Sequence, residues 1–150
     1  MSQDTATIDN KYQLFVERAA ATKMVWGLMG KGGWANTHAG DDEEVTLIPF
    51  WSDRALAKAC ARDDWKSFTP TSIPLGEFLE TWCTGMAEEG NVAGVNLDTH
   101  MHGTETEAYA IALDVLEQIK SINSTVSLKN YPGVDELIAD LNQITDQEEE

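Results

Sequence analysis

Residues 45–60, VTLIPFWSDRALAKAC, contain a change of hydrophobic period that decides the fold class. Up to Trp51, apolar side chains alternate along the chain, which is typical of a β-strand. After Ser52, a good helix-capping residue, the run of alanines and the spacing of Leu56 and Cys60 predict a helix. A strand that leads directly into a helix indicates a domain that mixes both elements.

The segment before this strand is predicted to hold one helix and two further strands. A stripe of apolar residues predicts a helix over 11–22, and a change to short apolar runs predicts strands within 24–29 and 34–39. Glycine-rich and acidic turns separate these runs. The three early strands are therefore expected in hairpin order, with Trp26 and Trp51 on neighbouring strands.

The segment after residue 60 is predicted to alternate helices with short strands. We expect the helix after Ser52 to continue to Trp65, an extended piece at 68–73 and a helix from Pro74 to Gly90. A strand is expected at 91–97, and Thr104 with Glu107 forms a capping-box pattern that predicts a helix to Ile119. Apolar spacing predicts a last helix after Pro132.

These elements predict an α+β fold with a single mixed, mostly antiparallel sheet covered by helices, and an extra C-terminal helix. Residues 1–9 are expected to be a loose segment, and residues 10–120 to form the domain. Residues 121–145 are expected to supply a linker and the C-terminal helix, which packs on or near the domain. Residues 146–150 form an acidic tail.

The charge balance limits the classes of partner. The 150 residues include 26 Asp and Glu but 10 Lys and Arg, a formal net charge of -16. Such a surface repels phosphate groups, so we expect no binding to nucleic acid or to an anionic membrane. A basic protein or peptide is the expected kind of partner; solubility alone is the alternative explanation of the charge.

Cysteine usage and hydropathy indicate a cytoplasmic protein. Cys60 and Cys83 show no paired-motif spacing and lie in predicted helices beside apolar residues, as buried thiols in a reducing compartment do. No basic segment followed by an apolar run begins the sequence, and no stretch reaches the roughly 18 apolar residues of a membrane-spanning helix. The oligomeric state stays open.

Residues 94–103, GVNLDTHMHG, contain the one concentration of side chains with metal-binding chemistry. Asp98, His100 and His102 lie at i, i+2 and i+4, and alternate residues share one face of an extended chain. A metal-dependent enzyme or metal binder that uses these three residues is therefore the alternative function. The competing interpretation is a polar loop in which Asp98 bonds local N–H groups. No motif indicates an organic cofactor.

The tryptophans suggest a binding surface. If one face of the sheet is only partly covered, Trp26, Trp34 and Trp51 would line a groove with Asn96 and Asp98 at its rim. Aromatic anchors beside acids suit a basic peptide or protein surface. The leading hypothesis is a non-enzymatic binding module, for example an immunity-like or antitoxin-like inhibitor of a basic protein. In the competing interpretation all five tryptophans are core anchors.

The order of landmarks adds a resemblance to a known family. VWGLM, GGWA, PFWSDRALA, the pattern F-x-P-x-x-I, LGEFLETW and GVNLD follow one another between residues 12 and 119. The series resembles the bacterial family called domain of unknown function 2750. Leu97 departs from it, because an aromatic residue is expected after the Asn, and the helix after Pro132 has no counterpart. The resemblance implies a fold and a cytoplasmic location but no reaction.

Overall fold

The computed structural model describes residues 5–39 and 42–148, which form an α+β fold. The helices, in chain order, are α1 (Thr5–Thr22), α2 (Arg54–Ala59), α3 (Leu75–Glu77), α4 (Cys83–Glu89), α5 (Ala108–Ser121) and α6 (Val134–Glu148). A 3₁₀ turn (Asp63–Trp65) follows α2, and a π-helical stretch (Phe78–Trp82) joins α3 to α4. The strands are β1 (Met24–Gly30), β2 (Gly33–Trp34), β3 (Thr37–Ala39), β4 (Asp42–Phe50), β5 (Thr69–Pro74), β6 (Val92–Val95) and β7 (Thr104–Glu107).

The described strands form two sheets, so the prediction of a single sheet is wrong. One is antiparallel with the order β2-β1-β5, and the other has the order β3-β4-β6-β7 with β4 and β6 parallel. The chain changes sheets at Ala35, whose N–H donates to Leu28 O and whose side chain is buried. The predicted strand at 34–39 is therefore broken: β2 pairs with β1, and β3 pairs with β4.

The two sheets meet at the pair of tryptophans that the sequence places on neighbouring strands. Trp26 and Trp51 form an isolated antiparallel bridge, with two N–H···O bonds of 2.8 Å between their backbones. This confirms their predicted proximity. The bridge lies just beyond Pro49, which has no N–H to donate. Pro49 pairs with Gly94 of the parallel strand β6, whereas the bridge at Trp51 is antiparallel.

The main core lies between the sheets and the helices α1, α3–α5 and α6. The predicted apolar stripes supply it, with Phe15 and Val16 of α1, Leu79 before α4 and Leu137 of α6 all buried. Burial of these side chains is what stabilises the short helices, since isolated helices of this length are marginal in water. A second, smaller core contains the buried residues Leu28, Ala35, Trp51, Ala57 and Cys60.

Two predicted helix boundaries are wrong. Residues 104–107 form strand β7, antiparallel to β6, and α5 begins at Ala108 without a side-chain cap. Thr104 and Glu107 therefore do not form a capping box; the alternation of Thr and Glu is a strand pattern with Glu105 and Glu107 exposed. The helix after Ser52 ends at Ala59 because Arg62 is extended and Asp63 has a φ of 53°.

The first and last helices extend further than the sequence predicts. Helix α1 begins at Thr5, earlier than the predicted start at residue 11, and α6 reaches Glu148. Residues 1–4 of the predicted loose segment and residues 149–150 of the predicted acidic tail lie outside the described residues, as do residues 40 and 41 of the predicted acidic turn.

Residues 123–131, here called the strap, follow α5 in the chain and lead to α6. They pack against the start of α3. The Glu80 carboxylate accepts the backbone N–H groups of Lys129 at 2.6 Å and Asn130 at 2.9 Å, and Lys23 Nζ lies 2.7 Å from Ser124 Oγ. A β-carbon on Gly76 would lie 2.0 Å from Ser127 O, so the strap requires glycine at this position.

Replacing Gly76 by alanine should therefore displace the strap. We expect Gly76→Ala to lower the free energy of unfolding by about 2 kcal/mol, the usual cost of overpacking a closed contact. Hydrogen exchange should accelerate at residues 124–131. The matched control is Gly85→Ala in α4, where nothing lies within 4 Å of a new β-carbon. That change should stabilise the protein by about 0.5–1 kcal/mol, and equal effects at the two positions would contradict this account of the strap.

Candidate functional site

The parallel strands β4 and β6 end side by side, and the residues that follow them form a buried polar cluster. Asn96 has a φ of 48° and is 3% exposed, and Ser52 is 1% exposed. Asn96 Oδ1 accepts the Ser52 N–H at 2.9 Å, while Asn96 Nδ2 lies 3.2 Å from both Ser52 Oγ and Lys11 O. These bonds tie together α1, β4 and β6. Ser52 is thus a partner of Asn96, and the prediction that it caps α2 is wrong. The N-cap position of α2 is occupied by Asp53.

Trp51 and Cys60 lie next to this cluster and share one acceptor. Trp51 Nε1 donates to Leu97 O at 2.9 Å, and Cys60 Sγ lies 3.3 Å from the same oxygen. Burial raises the pKa of the Cys60 thiol, and complete burial raises the pKa of Cys83 further. Both cysteines are free and buried, as the sequence predicts, and neither is an activated nucleophile at neutral pH.

The loop 96–103 is the turn of the β6–β7 hairpin. Asp98 Oδ1 accepts the backbone N–H groups of His100 at 2.8 Å and His102 at 3.0 Å. Partial burial acts to raise the Asp98 pKa, but these bonds and Lys11 nearby lower it below its ordinary value. The carboxylate therefore stabilises the fold at neutral pH, and this contribution is lost as the pH falls through the folded-state pKa.

This turn geometry does not assemble the predicted metal ligands. The ring centroids of His100 and His102 are 6.3 Å apart, and His102 Nδ1 is buried without a hydrogen-bond partner in the described structure. Residues 5–39 and 42–148 hold no group of three His, Cys, Asp or Glu side chains placed to bind a metal ion. Asp98 acts as a local N–H acceptor, as the competing interpretation of the loop has it.

The structure does not bring the predicted groove residues together on one surface. Trp51 is 0% exposed and Asn96 is nearly so, and both are engaged inside the fold. Trp34 is half-buried and packs edge-on against Trp82, with ring centroids 4.9 Å apart. Trp26 and Asp98 are half-buried. Trp51 and Asn96 therefore cannot line a groove, because the second core and the polar cluster enclose them.

A cavity of about 470 Å³ lies between the strap and the start of α3. Two charged groups of its lining have partners within the chain: Glu80 accepts N–H groups of the strap, and Lys23 Nζ contacts Ala20 O and Ser124 Oγ. These bonds anchor the strap, and the lining contains no aromatic ring beside its charges.

A second groove, of about 380 Å³, combines acidic and aromatic side chains, the chemistry predicted for the groove at Trp26, Trp34 and Trp51. One wall is the turn that follows α2, with Asp63, Asp64, Trp65 and Phe68. The opposite side is formed by residues 36–37 and by residues 99 and 101 of the hairpin loop. Trp65 and Phe68 are half-buried on the second core, whereas Met101 is 39% exposed. The arrangement places carboxylates beside aromatic and thioether surface, which suits a cation with an apolar stem.

Sequence reasoning missed this groove because it treated residues 53–65 as one helix. In a continuous helix Asp63 and Asp64 would be an ordinary solvated pair. The available signal was the run ARDDWKSF at 61–68, in which adjacent acids precede two aromatic residues without a helical apolar stripe.

No helix in the described part of the chain has the length and apolarity needed to cross a membrane.

Comparison with known proteins gives one match. No curated protein and no solved structure matches this chain. A family model described as "Protein of unknown function (DUF2750)" matches residues 12–115, which include β1–β7 and the segments that form the groove. The chain therefore belongs to the family of domain of unknown function 2750.

Proposed function

We propose that this protein is a binding module for a basic segment of a partner protein, which it holds in the groove between residues 62–68 and 99–101. The observation that carries the proposal is the composition of that groove: two adjacent exposed carboxylates border half-buried aromatic rings and an exposed methionine. An immunity-like or antitoxin-like inhibitor of a basic protein is one version of this function.

The charge of the whole chain supports the same partner chemistry. A net charge of -16 attracts a cationic partner over a distance of about 10 Å at moderate ionic strength and accelerates encounter. The groove then supplies what long-range charge does not, namely apolar surface for the stems of basic side chains. Attraction by the chain and retention by the groove are separate effects, and they predict different responses to mutation.

The double variant Asp63→Asn/Asp64→Asn tests the proposal. We expect it to weaken binding of an arginine- and lysine-containing peptide by about tenfold at low salt, since each exposed ion pair contributes up to about 1 kcal/mol. Isothermal titration calorimetry measures the dissociation constant, and the difference between wild type and variant should shrink as salt is added.

The matched control is Glu88→Gln/Glu89→Gln at the exposed end of α4, which removes the same charge from residues that do not line the groove. It should weaken binding much less. Equal losses from the two double variants would show that attraction depends on net charge alone, and the groove would then have no part in it. Absence of binding by the wild-type protein would reject the proposal.

A further inference from the structure

Both walls of the groove are held by their own backbone hydrogen bonds. In the first wall, the N–H groups of Trp65 and Phe68 donate to Arg62 O at 2.9 Å and to Trp65 O at 3.0 Å. In the second, Met101 N donates to Asp98 O at 2.9 Å, within the hairpin turn. The groove is therefore formed before any ligand enters it, which lowers the entropy cost of binding.

The packing of Phe68 fixes the position of the first wall. A β-carbon on Gly30 would lie 2.8 Å from the Phe68 ring, so the ring rests directly on the backbone of β1. A rigid aromatic surface at this depth favours a flat, partly apolar ligand group over a fully hydrated one.

Met101 has an unfavourable conformation for its residue type. Its φ of 65° is left-handed, a region that glycine and asparagine tolerate far better than methionine. Its side chain is also one of the exposed large apolar side chains in the described structure. Both features oppose folding stability, and Asp63, with a φ of 53°, adds a second left-handed residue to the same groove. Residues in such conformations persist where the surrounding contacts hold them, and they are enriched at binding and catalytic sites.

We propose that the groove receives one arginine side chain of the basic partner, with its guanidinium against the Trp65 ring and the carboxylates of Asp63 and Asp64, and with its aliphatic stem against Met101. This inference rests on the proposed function and specifies the residue of the partner that the groove binds.

The acceptors around the groove favour arginine over lysine. Besides the two carboxylates, the lining contains the hydroxyls of Thr37 and Thr99 and the amide of Asn36. Asn36 Nδ2 lies 3.1 Å from Trp34 O, which leaves Asn36 Oδ1 as an acceptor. Arginine presents five N–H donors in a plane that stacks on an aromatic ring, whereas lysine presents three donors on a compact, strongly hydrated ammonium group.

Arg62 already occupies part of this environment. It lines the groove, its Nε lies 3.4 Å from Asp63 Oδ2, and its side chain is 58% exposed. A guanidinium group of the chain itself thus uses one carboxylate that the partner needs. Removing Arg62 should strengthen binding of an external arginine beyond the general effect of one lost positive charge.

The test compares oligo-arginine, oligo-lysine and oligo-citrulline peptides of equal length by isothermal titration calorimetry at low salt. We expect the wild-type protein to prefer oligo-arginine over oligo-lysine by about tenfold, from stacking and paired hydrogen bonds. Oligo-citrulline, which keeps the shape but not the charge, should not bind measurably. Arg62→Gln should raise the affinity for oligo-arginine more than Arg54→Gln, an exposed control in α2 with the same change of charge.

Met101→Gly supplies the decisive variant. It should raise the midpoint of thermal unfolding, because glycine adopts the left-handed conformation without strain, and should reduce the preference for arginine by about fivefold through loss of the apolar wall. Met101→Asn, which also tolerates this conformation, is the second variant and should behave in the same way.

The outcomes separate the two proposals. Equal affinities for arginine and lysine peptides, with the Asp63→Asn/Asp64→Asn loss intact, would overturn the arginine inference and leave the binding module in place. An unchanged arginine preference in both Met101 variants would also overturn it. Failure of every cationic peptide to bind the wild-type protein would reject the binding module, and the arginine inference with it.

Discussion

Trp51→Ala is expected to lower the free energy of unfolding by about 4 kcal/mol, the usual cost of truncating a fully buried tryptophan. Trp51 is 0% exposed, belongs to the second core and donates its indole N–H to Leu97 O. It also forms the backbone bridge that joins the two sheets. The backbone bonds survive the substitution, but the side chain that fills the space between the sheets does not. Since a domain of this kind has a total stability of about 5–15 kcal/mol, the variant should lose much of it.

Chemical denaturation followed by circular dichroism measures this loss. Trp26→Ala is the matched control, because Trp26 forms the other half of the bridge but is only half-buried. Its loss should be clearly smaller. Trp51→Phe retains most of the apolar contact and removes the N–H donor, and it should cost about 1–2 kcal/mol. A loss at position 51 no larger than that at position 26 would contradict the assignment of Trp51 as the anchor between the sheets.

Asn96→Ala is expected to cost about 3 kcal/mol, because it leaves the buried Ser52 N–H without its acceptor, removes two further side-chain bonds and strains the backbone. Ser52 N–H loses its acceptor, and Lys11 O loses a donor. Alanine is also strained at a φ of 48°. Asn96→Gly removes the same side-chain bonds without that strain, so it should be about 1 kcal/mol less destabilising than Asn96→Ala. The difference between the two variants measures the backbone contribution separately from the hydrogen bonds.

Ser52→Ala completes a double-mutant cycle with Asn96→Ala. Because the two side chains bond each other inside the protein, their effects should be non-additive, with a coupling of about 1–2 kcal/mol. Thermal and urea denaturation of the four proteins measure it. Fully additive losses would show that Asn96 stabilises the fold through the Ser52 N–H, Lys11 O and its own backbone conformation, and not through the serine hydroxyl.

Substitutions at Trp51 and Asn96 should not alter the groove chemistry directly, since neither residue is part of the groove lining. The stability variants and the binding variants therefore examine different parts of the molecule. In a folded sample of Trp51→Phe, affinity for a basic peptide should stay close to that of the wild type.

The hydrophobic period of the sequence determined much of the secondary structure. The alternation before Ser52 and the apolar stripes of α1, α4, α5 and α6 depend on residues near one another in the chain, and burial of one face follows from them. The family resemblance likewise rested on short motifs whose order is visible without coordinates, and the match over residues 12–115 confirms it. The burial of both cysteines was predictable for the same reason.

The predictions are wrong where a local pattern is compatible with two structures. Thr104 and Glu107 match a helix cap, yet pairing with β6 makes them part of a strand. Ser52 matches a cap as well, but Asn96, which is 44 residues further along the chain, binds it in the interior. In both cases a distant segment provides more hydrogen bonds than the local alternative, and propensity alone contains no information about that segment.

The sequence by itself thus determined the α+β class, the acidic surface and the apolar stripes that become buried, because these follow from composition and from short-range periodicity. Only the tertiary structure decided the division into two sheets, since it depends on which strands pair. It also decided which large apolar residues stay accessible: Trp51 is enclosed where the sheets meet, while Trp65, Phe68 and Met101 border a groove because the turn after α2 and the β6–β7 hairpin lie together in space. Whether a side chain is exposed depends on which distant segments pack over it, and local sequence patterns contain no information about that packing.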